Sequence, residues 1–178
     1  MNDIIIRRVN LSDAQKLLEI YSYYVEKTAI SFEYETPSIS EFENRILKIT
    51  ERYPYLVAER GGELVGYAYA NTFIPRAAYQ KCVELTIYLH KDATKCGIGK
   101  MLYSALETEL KQIGITNLYA CIGYTENEDE YLTKNSADFH GHLGFKKVGE
   151  FHKCGYKFDR YYDMIWAEKI IGEHNKEI

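Results

Sequence analysis

The sequence has no long apolar run, no paired cysteines and no surplus of positive charge, and each absence narrows what it can be. No stretch approaches the length that crosses a bilayer. Its four cysteines, Cys82, Cys96, Cys121 and Cys154, form no CxxC pair and no metal-ligand spacing. With no signal peptide at the start, they read as free thiols in a reducing compartment, and a cytoplasmic protein is expected. A net charge of -4 and a pI near 5.8, without a Lys/Arg stripe interleaved with aromatics, argue against a general nucleic-acid binder. HExxH and acidic-cluster metal motifs are missing, so no metal site is expected. No linker, repeat or low-complexity stretch divides the 178 residues, which suit a single domain over 1–178 with a short C-terminal tail.

Tyrosine is abundant, with 17 residues; polar clefts, amphipathic faces and subunit contacts all use it. The chain is organised around 82–122. Cys82 to Leu89 reads as a strand, and the loop Thr94-Lys95-Cys96-Gly97-Ile98-Gly99 follows. A helix then aligns Ile98, Leu102, Leu106, Leu110 and Ile113 on one face, Gly114 stops it, and Leu118 to Ile122 is the next strand. If parallel, this β-loop-α-β unit has a right-handed crossover. Glycines at a helix start allow close backbone approach, and the free N–H groups there suit phosphate. The spacing does not complete GxGxxG, because position 102 is Leu102, and no GK[ST] follows. A dinucleotide fold or a P-loop hydrolase therefore fits poorly, and a plain strand-to-helix turn stays open.

Upstream, Ile4-Ile5-Ile6 is a short buried strand, and Ser12 with Gln15 predicts a capped helix carrying Leu17, Leu18, Tyr21 and Val25. The segment 29–36 is β-prone but irregular. Ser38 or Ser40 caps a helix bearing Phe42, Ile46 and Ile49, and Gly61-Gly62 joins Tyr55–Glu59 to Leu64–Ala70 as a hairpin. Downstream, the acidic 126–130 reads as a solvated loop, a helix runs from Asn135 to His142, and two strands lie around Lys147–Cys154 and Tyr161–Glu168.

Glu84 is the informative acid. Between Val83 and Leu85 it points to the opposite face of its strand, either to solvent or into a cleft where it takes a proton. His140 is a second candidate, although the helix could simply expose both His140 and His142. Arg76 and Tyr79 lie in a loop before the Glu84 strand, either a recognition loop or a solvated connection. His152, Lys153, Lys157 and Arg160 read as surface or interface residues.

Val83 to His90, Gly97-Ile98-Gly99 and His140-Gly141-His142-Leu143-Gly144-Phe145, with the tail motifs Gly155-Tyr156-Lys157 and Asp163 to Trp166, together resemble the GNAT N-acetyltransferase superfamily. The likeness is closest to its phosphinothricin N-acetyltransferase branch. It covers nearly the whole chain. It implies an α/β fold whose mixed central sheet is flanked by helices, with a cofactor cleft where the strands of Glu84 and Cys121 splay apart.

The resemblance further implies acetyl-CoA as co-substrate. Its pyrophosphate would sit on backbone N–H groups of Lys95, Cys96, Gly97, Ile98 and Gly99, with Lys95 or Lys100 adding charge. Ile87, Tyr88 and Leu89 would border the cofactor, and Asn127 or Asn135 would serve near the thioester. Glu84 fits the branch's base position, and His140 replaces the superfamily's acid tyrosine as an acid or a substrate ligand. Arg76, Tyr79 and Glu84 would bind the acceptor, and a homodimer is implied. Thr94 departs from the usual Gln or Arg, and Thr133 from the usual Asn. The expected activity is acetylation of a small amino-acid-like amine such as phosphinothricin, methionine sulfone or methionine sulfoximine. Protein or peptide acetylation and a non-catalytic acetyl-CoA-binding module are the alternatives.

Overall fold

A computed structural model describes residues 4–94 and 96–174. Seven strands, Ile4–Arg8 (β1), Tyr55–Arg60 (β2), Glu63–Thr72 (β3), Cys82–Leu89 (β4), Asn117–Tyr124 (β5), Lys146–Lys157 (β6) and Arg160–Ile170 (β7), form one sheet in the order β1-β2-β3-β4-β5-β7-β6. All neighbours are antiparallel except β4 and β5, which run parallel across the central crossover.

Helices Ala14–Lys27 (α1) and Ile39–Thr50 (α2) cover the sheet face that carries Tyr67 and Tyr88, where Tyr21 and Phe42 meet those rings. Helix Ile98–Gln112 (α3) lies on the other face, with Gly99 beside Ile87, and Asn135–His142 (α4) packs next to it through Phe139. The period-3.6 stripes anticipated for these helices are the ones buried: Leu17, Leu18, Tyr21 and Val25; Phe42, Ile46 and Ile49; Ile98, Leu102, Leu106 and Leu110. Ile113 is the exception, exposed at 54%, because α3 ends one residue earlier and Gly114 turns with φ +81°.

One local reading changes and two are sharpened. Ser12 does not cap the first helix; it sits in a 3-10 turn whose capping box pairs Asn10 with Asp13. Asp13 is itself held by Arg7 at 2.8 Å, so the start is tied to β1. Ser38, not Ser40, caps α2 by accepting from the Glu41 N–H. The acidic 126–130 is an exposed loop, as expected, except at Asp129, which is tied down. Asp129 accepts from the backbone of Tyr131 and Leu132, from Arg160 and from the Tyr162 hydroxyl, and Glu130 also pairs with Arg160. Leu132 and Tyr162 bury there with Ala29 as a small second core. The four cysteines are all free thiols.

Candidate active site

The parallel pairing of β4 with β5 stops early. Registered pairs run from Cys82↔Asn117 to Glu84↔Tyr119 and go no further. β5 nevertheless stays paired with β7 as far as Tyr124, and β4 stays paired with β3 as far as Leu89. The two central strands therefore part just beyond Glu84. On the β5 side of Leu85–Leu89 the backbone has no sheet partner, and such groups need another partner.

Glu84 stands at the point of divergence. Its register neighbours are Asn71 on β3 and Tyr119 on β5. Strand alternation places Val83 and Leu85 in the core and leaves Glu84 half-buried on the other face. Removal from water alone holds its carboxyl above the ordinary carboxylate value, the condition of a carboxylate ready to accept a proton. The same strand divides its later residues between the two faces. Ile87 faces α3, while the Tyr88 ring packs against Tyr21, Tyr24 and Tyr67, so Tyr88 can border the opening only through its backbone.

At the mouth of the opening α3 begins. Gly97 is its cap in the left-handed region at φ +79°, and a Cβ there would meet open space. The first N–H groups of a helix have no internal partner, and a helix start of this kind is able to receive an anion. Gly99 has a different reason: a Cβ would lie 2.9 Å from the Phe139 ring. Lys100 and Cys96 are exposed, and the Cys96 thiol turns back to the Thr94 carbonyl. Lys95 lies outside the described residues.

His140 is buried on α4, while His142 is exposed. Its Nδ1 is 2.7 Å from the Ser136 carbonyl and its Nε2 is 3.0 Å from the Tyr103 hydroxyl. A carbonyl only accepts, so Nδ1 carries the proton and Tyr103 donates to Nε2. Burial pushes the imidazole down to about 4, and the ring is neutral at working pH. Arg76 and Tyr79 do come together. They line a recess of about 290 Å³ with Arg52, Tyr53 and Pro75, but Glu84 is not part of it.

These features agree with comparison to known proteins. The acetyltransferase (GNAT) domain family matches residues 6–166. The chain belongs to this family. A phosphinothricin N-acetyltransferase of Alcaligenes faecalis is 32% identical over 93% of this chain and 82% of its own length. The L-amino acid N-acyltransferase MnaT of Escherichia coli is 28% identical, covering 96% of both chains. The crystal structure of a phosphinothricin acetyltransferase from Sinorhizobium meliloti, solved with acetyl-CoA, superposes with a TM-score of 0.87 at 33% identity, over 95% of this chain and 89% of that one. The mixed sheet flanked by helices is thus the GNAT fold.

Within that fold the two asparagine candidates are both exposed, Asn127 in the loop after β5 and Asn135 at the first turn of α4. The sequence reading did not anticipate one close approach of the α1–α2 connection to the sheet. Phe32, from the α1–α2 connection, lies over Gly155 and Gly123, where added Cβ atoms would come within 2.5 Å of the Phe32 ring and 3.0 Å of the Ala29 carbonyl. Lone glycines within strands signal such close approaches. Lys157, read as a surface residue, is 3% exposed, and its ammonium donates to the carbonyls of Val25 and Ser31.

One cluster elsewhere has metal-ligand character. Glu150, His152 and Asp163 lie within 4.8 Å of one another, but Lys147 and the Lys153 N–H already bind the two carboxylates. Among the described residues, no helix is long and apolar enough to cross a membrane.

Proposed function

We propose that this chain transfers the acetyl group of acetyl-CoA to the primary amine of a small amino-acid-like acceptor, with phosphinothricin, methionine sulfone and methionine sulfoximine as the leading candidates. One observation carries the reading: β4 leaves β5 at a half-buried carboxylate, Glu84, and further along the same strand Ile87 meets Gly99 in the first turn of α3. The relatives named for amino-acid and phosphinothricin acetylation support the acceptor class.

In this reading the backbone from Lys95 to Gly99 and the start of α3 hold the cofactor's pyrophosphate, with Lys100 adding charge. The unpaired edge of Ile87, Tyr88 and Leu89 borders its arm, and Asn127 or Asn135 serves near the thioester. Bound acetyl-CoA supplies an electrophilic acetyl carbon. Glu84 removes a proton from the acceptor's ammonium, directly or through water, and the neutral amine is then nucleophilic. Backbone N–H groups of β4 polarise the carbonyl. The coenzyme A thiolate leaves as the amide forms and takes up the proton that the attacking nitrogen releases. His140 can relay that proton, or bind the acceptor, only once its Nε2 is freed from the Tyr103 hydroxyl, because its Nδ1–H is held by the Ser136 carbonyl. Arg76 and Tyr79 hold the acceptor's acid group. Exposed Val148 and Phe151 on the edge strand β6 supply apolar surface for a homodimer, which sedimentation would detect.

Incubation with acetyl-CoA and a panel of free amino acids, phosphinothricin, methionine sulfone, polyamines and a peptide tests the proposal. Acetylation of the zwitterionic amino acids is expected. Preferential acetylation of the peptide would replace this reading with protein acetylation. Acetyl-CoA binding without transfer to any member would leave a binding module.

A further inference from the structure

The recess of Arg76 holds a second guanidinium. Arg52 lines it too, together with Tyr53, Thr72, Tyr79 and Gln80, and no carboxylate is among the lining residues. Its volume of about 290 Å³ is many times the ~10–15 Å³ that one water needs. Arg52 lies over the Tyr53 ring at 5.1 Å. Among the described residues, neither Arg52 nor Arg76 has a side-chain hydrogen bond or an ion pair.

The arginines that tie this fold together are treated differently. Arg7 is held by Asp13 and Glu59, Arg45 by Glu33 and Glu41, and Arg160 by Asp129 and Glu130. Each of those guanidiniums faces two carboxylates. At the recess the ratio is reversed, with two guanidiniums and no acid, and the segment 71–81 at its rim contains no Asp or Glu. A chain of net charge -4 thus keeps a carboxylate-free basic pocket, and local rather than net charge decides which ion enters.

Each guanidinium presents a planar fork of N–H donors that matches the oxygens of a phosphoryl group. A phosphate monoester carries a charge of about −1.5 to −2 and three strong acceptor oxygens, enough for both forks and the Tyr79 hydroxyl. A carboxylate or a sulfonate brings a single charge and leaves one guanidinium without a counter-charge.

The recess also lies beside the chemistry. Thr72 follows Asn71, the β3 residue opposite Glu84, so the backbones of Thr72 and Glu84 are one strand and one residue apart, about 6 Å. The Tyr79 ring meets Phe73, and Phe73 stacks on Tyr119, the neighbour of Glu84 on β5. An acceptor with its phosphoryl group in the recess needs only a short chain to bring its amine to Glu84. Resting on the acetyl transfer proposed above, we infer that Arg52 and Arg76 together form a dianion seat. The enzyme then prefers a small amine carrying a phosphate monoester or phosphonate to one carrying a carboxylate or sulfonate.

Methyl phosphate and methyl sulfate share a shape, but at pH 8 only the phosphate carries a second negative charge. Ligand-observed NMR on the whole protein at that pH, with coenzyme A present to fill the start of α3, tests the recess. Methyl phosphate should bind about tenfold more tightly than methyl sulfate, and R52M and R76M should each weaken it about tenfold, the usual worth of a charge-assisted hydrogen bond. Both arginines are exposed, so the variants fold. R52K keeps the charge without the fork and should restore part of the loss. No binding of methyl phosphate, equal binding of methyl sulfate, or binding unchanged in both methionine variants overturns the dianion seat. In kinetics, 2-aminoethyl phosphate should exceed 2-aminoethyl sulfate in kcat/KM by a similar factor, and R52M should bring that ratio close to unity. Arg52-dependent methyl phosphate binding in a protein that acetylates no amine would keep the seat and remove the acetyl-transfer reading. Acetylation of amino acids with no preference for the phosphate ester would do the reverse.

Discussion

The Tyr103 hydroxyl donates to Nε2 of His140 across 3.0 Å, while Nδ1–H of the same ring is spent on the Ser136 carbonyl at 2.7 Å. The imidazole is therefore built into α3 and α4 as a neutral group, lowered from 6.5 to about 4. Between those values the unfolded chain binds the proton and the folded one does not, so stability rises with pH through that window and is lost on acidification. The loss attributable to this ring is about 3 kcal/mol at full protonation. Urea unfolding from pH 7 to pH 4 should show it, and H140N should flatten that part of the profile. An unchanged slope in H140N would mean that other groups carry the acid sensitivity.

E84Q should preserve the fold and lower acetyl-transfer turnover more than tenfold, the usual scale of positioned base assistance. Because burial raises the Glu84 carboxyl, wild-type kcat/KM should fall as pH drops through that raised value, where the base becomes protonated. The limb should vanish in E84Q. Near-normal turnover of E84Q across the pH range would remove Glu84 from the base role.

The two loop glycines should fail for different reasons. G97V forces a β-branched residue to φ +79° with open space around it, costing about 1–3 kcal/mol of backbone strain and weakening acetyl-CoA at least tenfold in calorimetry. G99V drives a side chain into the Phe139 ring, which also packs against His140, so its main loss should be in melting temperature. Unaltered acetyl-CoA affinity in G97V would reject the phosphate seat.

R76A should raise the acceptor KM far more than it weakens acetyl-CoA binding, since the exposed guanidinium shares its recess with Tyr79 and not with Glu84. The comparison to make is an amino acid against its decarboxylated amine, with folding checked separately. A wild-type preference for the amine, unaffected by R76A, would exclude recognition of the acid group.

K157M leaves the carbonyls of Val25 and Ser31 without the buried ammonium that now joins them at 2.6 Å each. Losing two charge-assisted bonds should destabilise the protein by about 3 kcal/mol, visible in thermal melts. It should also loosen the Phe32 connection on Gly155. A melting temperature equal to wild type would contradict the anchoring role.

Periodicity was enough to read the elements. The apolar repeat of α3, the Gly61-Gly62 hairpin and the strand of Glu84 are local patterns, and local patterns follow from neighbours along the chain. The motif run from Val83 through Gly144-Phe145 was likewise legible, and the family match over residues 6–166 includes all of it. Depth and pairing were not legible. Nothing adjacent to Lys157 tells of the carbonyls of Val25 and Ser31, more than a hundred residues away, and nothing in the acidic run 126–130 names Arg160 as its partner. Whether a tyrosine faces solvent, a neighbouring ring or a cavity was equally undecided, since its amphipathic side chain suits all three. Only the closing of α1 and α2 over β2–β4 put Tyr55 and Tyr67 inside, and only the divergence of β4 from β5 turned Glu84 from one acid in an apolar strand into the residue at the head of a cleft.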